Sequence, residues 1–134
     1  MQLGTYGAIF RFAIEFEQAC AEFYLKATAF DGRFGELEAG AKKRAARLNR
    51  MQREMIVEMI LEPIRGLQST DYHVDGMNCT QETVTSQARA LEETGHRFYV
   101  DAAARVPIAE VARAFGKLAQ EHDNNYQSCL TDGT

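Results

Sequence analysis

The chain has 134 residues and a formal net charge of −4. This length suits one core, and we predict a single domain over residues 1–134. The acidic balance argues against nucleic acid as a partner, and no apolar run is long enough to span a membrane. Because the N-terminus also lacks the pattern of a signal peptide, the sequence predicts a cytoplasmic protein.

The first two helices are marked by apolar stripes and by breaks at their ends. Helix 1 should run from about Thr5 to Phe30 and end at the glycine turn that follows. Helix 2 should begin near Phe34 and end before Pro63, since the residue that precedes a proline disfavours helical backbone. In both helices apolar residues recur at spacings of three and four, which is typical of a face turned toward a core.

A long connection separates the second helix from the third. The segment Pro63–Cys79 has Pro, Gly and Asp punctuation and no sustained period, so we predict that it is not helical. Fully extended, it could span roughly 55 Å at about 3.3 Å per residue. Antiparallel neighbours need only a few connecting residues, and this length therefore predicts a crossover between two helices that run in the same direction.

The last two helices complete an all-α domain. Helix 3 should start near Thr80 and end before the Arg105–Pro107 interruption, and helix 4 should begin at Pro107, a residue favoured in the first turn. One polar residue interrupts the apolar stripe near the middle of each of the four helices: Glu17, Arg44, Glu92 and His122. Mid-helix stripe positions of a bundle meet at about one level, so we expect these four side chains to form one core cluster.

The chain also contains an internal repeat. A shift of 75 residues places Glu17 on Glu92 and Tyr24 on Tyr99. A shift of 81 residues places "FGEL", which opens helix 2, on "FGKL" in helix 4. The sequence therefore looks like two copies of one helical hairpin that are joined by the long connection.

These features resemble the ferritin-like bundles and, within them, the rubrerythrin-type proteins. The resemblance rests on the repeated E-x6-Y with its Phe-Tyr pair and on the F-x-x-L openings, and it covers nearly the whole chain. It implies a ferritin-like four-helix bundle with a long crossover between helices 2 and 3. In such families helices 1 and 3 each supply one Glu, helices 2 and 4 each supply Glu-x-x-His, and together they bind two iron atoms.

Only part of that ligand pattern is present here. Glu17 and Glu92 match the two single glutamates. The Glu-x-x-His positions no longer carry that motif and are occupied by Ala41, Arg44, His122 and Asn125. Arginine and alanine do not bind iron, so the resemblance implies a diiron site that has been lost or remodelled.

The cluster can be stabilised without a metal. We hypothesise that Arg44 replaces the metal by pairing Glu17 and Glu92, with His122 or Asn125 completing the hydrogen bonds. Two carboxylates in a dry core need a positive partner, and a guanidinium is a permanent cation whose planar fork suits them. The protein would then need no cofactor.

A metal-binding alternative stays open. Arg44 belongs to the basic run Lys42–Arg53, and its long stem could carry the guanidinium to a solvated helix face. Glu17, Glu92 and His122 would then be a reasonable ligand set for iron, manganese or zinc.

Two further groups of residues have site-like features. Tyr24 and Tyr99 each lie two turns from a core glutamate, and the resemblance places such tyrosines near the iron centre. Stripe tyrosines are more often core residues with a bonded hydroxyl. His73, Asp75 and Cys79 have a loose metal-like spacing, but a polar turn is the favoured interpretation of this segment.

Three function classes remain open. The leading interpretation is a non-catalytic binding or structural module that works through protein contacts as a homodimer, with no catalytic residue assigned. The second is an iron handler or oxidoreductase with one metal at Glu17, Glu92 and His122. The third is an unrelated helical bundle with a ligand pocket between its helices.

Overall fold

A computed structural model describes residues 3–55, 64–74 and 79–131. The fold of these residues is all-α, as predicted. Its elements in chain order are α1 (Tyr6–Ala27), α2 (Phe34–Met55), a short 3₁₀ helix (Ser69–Tyr72), α3 (Val84–Arg105) and α4 (Ala109–Thr131). The predicted extension of α2 toward Pro63 lies outside the described residues.

Local hydrogen bonds account for where the helices begin. The Thr5 hydroxyl caps α1 by accepting the backbone N–H of the residue three positions on at 3.1 Å, so Thr5 is the cap of the helix. Helix α3 begins after Thr80, because residues 81–83 form a turn. Helix α4 begins just beyond the proline, where the N–H of Ile108 donates to the Tyr6 hydroxyl at 3.1 Å. That bond satisfies one of the donors that a helix start leaves unpaired.

The directions of the helices follow from which residues meet. Helices α1 and α2, and likewise α3 and α4, are joined by short connections and pack side by side as antiparallel hairpins. Glu17 contacts Tyr99 and Tyr24 contacts Glu92, so α1 and α3 are also antiparallel. Helices α2 and α3 therefore run in the same direction.

The described parts of the connection from α2 to α3 lie against α1 and α3. Near its start Leu67 accepts a backbone hydrogen bond from Leu3 at 2.9 Å, ahead of α1. Farther on, the Tyr72 hydroxyl donates to Asp101 of α3 at 2.6 Å, and Val74 packs against apolar residues of α1 and α3. The described parts of this connection contain no α-helix.

The core consists of two apolar clusters with a polar layer between them. One cluster includes Phe10, Leu48 and Phe115, and the other includes Cys20 and Phe34. Near the boundary of the two clusters lie four buried charged or ionisable side chains: Glu17, Arg44, Glu92 and His122. One such residue comes from each long helix.

Candidate functional site

The polar layer brings together all seven residues of the predicted core cluster. Glu17, Glu92 and His122 are 0% exposed, and Arg44 is 2% exposed. The hydroxyls of two tyrosines and the half-buried side chain of one asparagine complete the layer: Tyr24, Tyr99 and Asn125. The cluster is closed to bulk solvent, so its charges must be balanced from within.

His122 joins the two acids. Its Nε2 lies 2.8 Å from Glu17 Oε2, and its Nδ1 lies 2.6 Å from Glu92 Oε1. Ionised carboxylates only accept hydrogen bonds, so both ring nitrogens must carry hydrogen and the ring is an imidazolium. Burial would lower the pKa of His122, but Glu17 and Glu92 raise it from 6.5 to about 9.

Arg44 contacts one of the two acids and not both. Its Nε donates to Glu17 Oε1 at 2.9 Å, and its Nη1 lies 3.8 Å from Glu121 Oε1 at the edge of the bundle. Among the described residues, its buried Nη2 has no hydrogen-bond partner. Burial would lower the pKa of Arg44, but Glu17 outweighs this effect and raises it above the ordinary value.

The hypothesis that Arg44 pairs both acids is therefore corrected in one respect. The structure places Arg44 on Glu17, and His122 provides the link between Glu17 and Glu92. The physical reason is that the two ring nitrogens lie on opposite edges of a compact ring, which fits between two carboxylates. The arginine supplies the second positive charge from the side.

The two copies of the E-x6-Y repeat brace each other. The Tyr24 hydroxyl donates to Glu92 Oε2, and the Tyr99 hydroxyl donates to Glu17 Oε2 at 2.6 Å. Burial, followed by the neighbouring Glu17, raises the pKa of Tyr99 well above its ordinary value, so this hydroxyl keeps its proton. The ring of Tyr99 also stacks on His122, with centroids 5.5 Å apart and planes 19° from parallel.

The hydrogen bonds of the cluster are evenly shared between the two acids. Each carboxylate accepts bonds from three side chains. The donors to Glu17 are Arg44, His122 and Tyr99, and those to Glu92 are Tyr24, His122 and Asn125. Burial would raise the pKa of Glu17, but its His122, Arg44 and Tyr99 partners together lower it below the ordinary value. Two anionic and two cationic side chains thus neutralise each other.

Gly95 is a site residue that the sequence analysis did not identify. A Cβ built at this position would lie 2.8 Å from Cγ and Nδ1 of His122, well inside van der Waals contact. Only glycine therefore lets the imidazole ring lie against the backbone of α3. The signal was present in the sequence, because glycine in the middle of a helix is unfavourable unless another group approaches closely.

Cys20 borders the cluster as an inert thiol. It is fully buried on α1, and burial, followed by Glu17 and Glu92, raises its pKa well above the ordinary value. A thiol that stays protonated is a poor nucleophile and a poor metal ligand. Cys20 therefore acts here as a small packing residue.

The side chains of the cluster, as arranged, do not fit a metal ion. In residues 3–55, 64–74 and 79–131, no group of three or more His, Cys, Asp or Glu side chains is placed to hold one. Glu17, Glu92 and His122 are neighbours, but both nitrogens of the imidazolium donate to the carboxylates and leave no lone pair for a ligand bond. Arg44 adds a cation at the same place.

The loop trio can be described only in part. His73 lies beside a surface cavity of about 300 Å³ that Arg11 also lines. The Cys79 backbone N–H donates to the Gln87 side chain at 3.0 Å. Asp75 lies outside the described residues, so the metal-like spacing of His73, Asp75 and Cys79 stays a sequence pattern.

Comparison with known proteins found no relatives. No family model, no curated protein and no solved structure matches this chain. Across the described part of the chain, none of the helices combines the length and the apolar character that a membrane span needs. The cluster must therefore be interpreted from its own geometry.

Proposed function

We propose that this chain is a ferritin-like, rubrerythrin-type bundle in which a hydrogen-bonded charge cluster stands where that family holds two iron atoms. In this proposal the protein acts as a non-catalytic binding or structural module. The observation that carries it is the His122 bridge, which uses both ring nitrogens to join Glu17 and Glu92. An imidazolium between two carboxylates supplies the positive charge that a metal would otherwise bring.

Two features of the fold support the ferritin-like part of the proposal. Helices α2 and α3 run in the same direction and are separated by residues 56–83. An unrelated up-and-down bundle would instead join two antiparallel helices at this point by a short hairpin loop. The crosswise bonds of Tyr24 and Tyr99 also relate the two hairpins as two copies of one unit. Both features are independent of any metal.

A bundle that neutralises its own core acids should not need metal to fold. Binding of a ligand to the native state alone raises the melting temperature, and loss of a required ligand lowers it. We therefore expect the same melting temperature with EDTA and with added Fe(II).

The proposal also includes a homodimer and a cytoplasmic location. Light scattering measures the mass of the protein in solution and so tests the homodimer.

Metal analysis tests the proposal directly. Protein purified without added iron, and the same protein titrated anaerobically with Fe(II), should both contain far less than one metal ion per chain. The matched positive control restores the family motif with four substitutions: Ala41→Glu, Arg44→His, His122→Glu and Asn125→His. This variant should gain two iron sites, because each helix then offers the ligands that the family uses.

Each outcome of this experiment separates the alternatives. Stoichiometric metal in the unaltered protein would overturn the proposal and favour the iron-handling alternative at Glu17, Glu92 and His122. If the restored variant folds but binds no iron, the ferritin-like assignment is wrong and an unrelated helical bundle is favoured.

A further inference from the structure

A groove between α2 and α4 concentrates positive charge. Two cavities of about 360 and 400 Å³ adjoin along it and share Arg47. Its charged lining residues are Lys43, Arg47, Arg50, Arg113, Lys117, Glu110 and Glu121. Five cations and two acids give this groove a charge of +3 in a chain of net charge −4, so the remaining residues carry −7. We call this feature the α2–α4 groove.

The α2–α4 groove is long enough for about three turns of a bound helix. On each side its charged residues recur at spacings of three and four along one helix edge, so they form two facing stripes. Its apolar lining includes the buried Leu48 and Leu118 and the partly exposed Met51 and Ala114, and only the last two offer side-chain surface to a partner. The stretch from Gly40 to Met51 is about 16 Å long at 1.5 Å per residue, which equals about three turns of a bound helix.

Arg47 connects the two parts of the groove. It lines both cavities, and its side chain is 42% exposed. Its Nη2 binds Glu121 at 2.6 Å. Glu121 also lies 3.8 Å from Arg44 of the buried cluster, so the groove and the cluster share one carboxylate.

We propose that the α2–α4 groove docks an acidic amphipathic helix of a partner protein. Apolar side chains of that helix would contact the partly exposed Met51 and Ala114, and its carboxylates would pair with the flanking cations. This inference rests on the proposed function and deepens it, because it gives the binding module a class of partner and a binding surface.

Charge decides against two other occupants. A two-fold dimer that joined two copies of the groove would place two surfaces of charge +3 against each other, which is unfavourable. A nucleic acid would meet Glu110 and Glu121 along the α4 edge, on a chain whose net charge is −4. An amphipathic helix matches both the cations and the apolar lining.

The test uses the full chain and a synthetic probe. The probe is a fluorescein-labelled peptide of about four helical turns, with leucines at spacings of three and four and glutamates beside them. Its controls are a scrambled peptide of the same composition and a version with lysine for glutamate. Fluorescence anisotropy measures affinity, and we expect saturable binding of the acidic helix that weakens about tenfold when salt rises from about 50 to 300 mM.

Matched charge reversals locate the binding surface. Arg113→Glu with Lys117→Glu changes two exposed residues of the groove and should weaken binding about a hundredfold, at about tenfold per reversal. Lys26→Glu with Lys42→Glu is the control, since those side chains are 65% and 67% exposed and do not line either cavity of the α2–α4 groove. The control should change affinity less than threefold, on the order of 0.6 kcal/mol.

Several results would overturn the inference. They are no binding of the acidic peptide at millimolar protein, equal binding of the scrambled peptide, equal losses in the groove variant and its control, or displacement of the peptide by inorganic phosphate or by duplex DNA. The metal analysis reports separately on the proposed function. If the protein is free of metal but does not bind the acidic peptide, this inference alone is overturned. If the protein contains iron and binds the acidic peptide, the proposed function alone is overturned.

Discussion

Replacing Gly95 by alanine should destabilise the protein, although the same exchange stabilises an ordinary helix. The added Cβ would lie 2.8 Å from Cγ and Nδ1 and 2.9 Å from Cε1 of His122. Ordinary contact begins near 3.4 Å, so the ring must retreat by about 0.6 Å. Hydrogen bonds of 2.6 and 2.8 Å hold that ring to Glu92 and Glu17. The ring cannot retreat without lengthening at least one of them.

The expected magnitude combines three effects. Alanine gains about 0.5–1 kcal/mol of helix propensity over glycine. Overpacking costs about 1–3 kcal/mol, and weakening a buried hydrogen bond to a charged group costs about 1.5–3 kcal/mol. We therefore expect Gly95→Ala to lower the free energy of unfolding by about 1.5–5.5 kcal/mol, measured by urea denaturation.

Gly116 provides the matched control. It lies within α4, and a Cβ built there would meet nothing within 4 Å, so Gly116→Ala should raise the free energy of unfolding by about 0.5–1 kcal/mol. In a His122→Ala background the clash is gone, and Gly95→Ala should then become neutral or stabilising. If Gly95→Ala behaves like Gly116→Ala in the unaltered protein, the ring does not lie where the structure places it and the His122 bridge is wrong.

Three further predictions concern the same cluster. Arg44→Met should lower the free energy of unfolding by about 3–5 kcal/mol, because it leaves the buried carboxylate of Glu17 without its arginine partner. The control Lys42→Met, on the exposed face, should change it by no more than about 0.5 kcal/mol. Chemical denaturation of both variants measures the difference. The pKa of His122 is raised from 6.5 to about 9, so its contribution of about 3 kcal/mol is complete below pH 6.5 and is lost as the pH rises through about 9. Urea titrations on both sides of that window should show the loss, and His122→Gln should abolish it. Tyr24→Phe and Tyr99→Phe should each lower the free energy of unfolding by a similar amount of about 1–3 kcal/mol. A loss in only one of them would contradict the reciprocal hydrogen bonds between the two copies of the repeat.

The sequence was enough to predict the all-α fold and to select the residues that meet in the core. Apolar spacing of three and four fixes which face of a helix turns inward, and a polar residue on that face must find partners there. Glu17 and Arg44 stood out for this reason. Their shared level followed from their positions near the middle of helices of similar length.

Sequence spacing could not reveal which side chain joins the two acids. Stripe position fixes the face and height of a residue, but the contact depends on side-chain length and rotamer. Arg44 and His122 were both candidates, and the compact ring of His122 proved to be the link. The residue that distinguishes them is Gly95, whose missing side chain leaves room for a ring on α4.

The repeat itself explains why the cluster has one histidine bridge and not two. Under the shifts of 75 and 81 residues, Gly95 corresponds to Cys20 and His122 corresponds to Ala41. In the second hairpin, Gly95 of α3 has no side chain and His122 of α4 has a large ring. In the first hairpin, Cys20 of α1 carries a thiol and Ala41 of α2 carries only a methyl group. Both Cys20 and Ala41 are fully buried.

If the first hairpin packs as the second does, a histidine at position 41 would meet the Cys20 side chain where His122 meets Gly95. In this sequence only the second hairpin therefore supplies the bridge. The other contributes its cation from the position one turn later, where Arg44 corresponds to Asn125 under the 81-residue shift. The long arginine stem reaches Glu17 from the side, so the cluster has two positive charges although only one of them is carried by a ring.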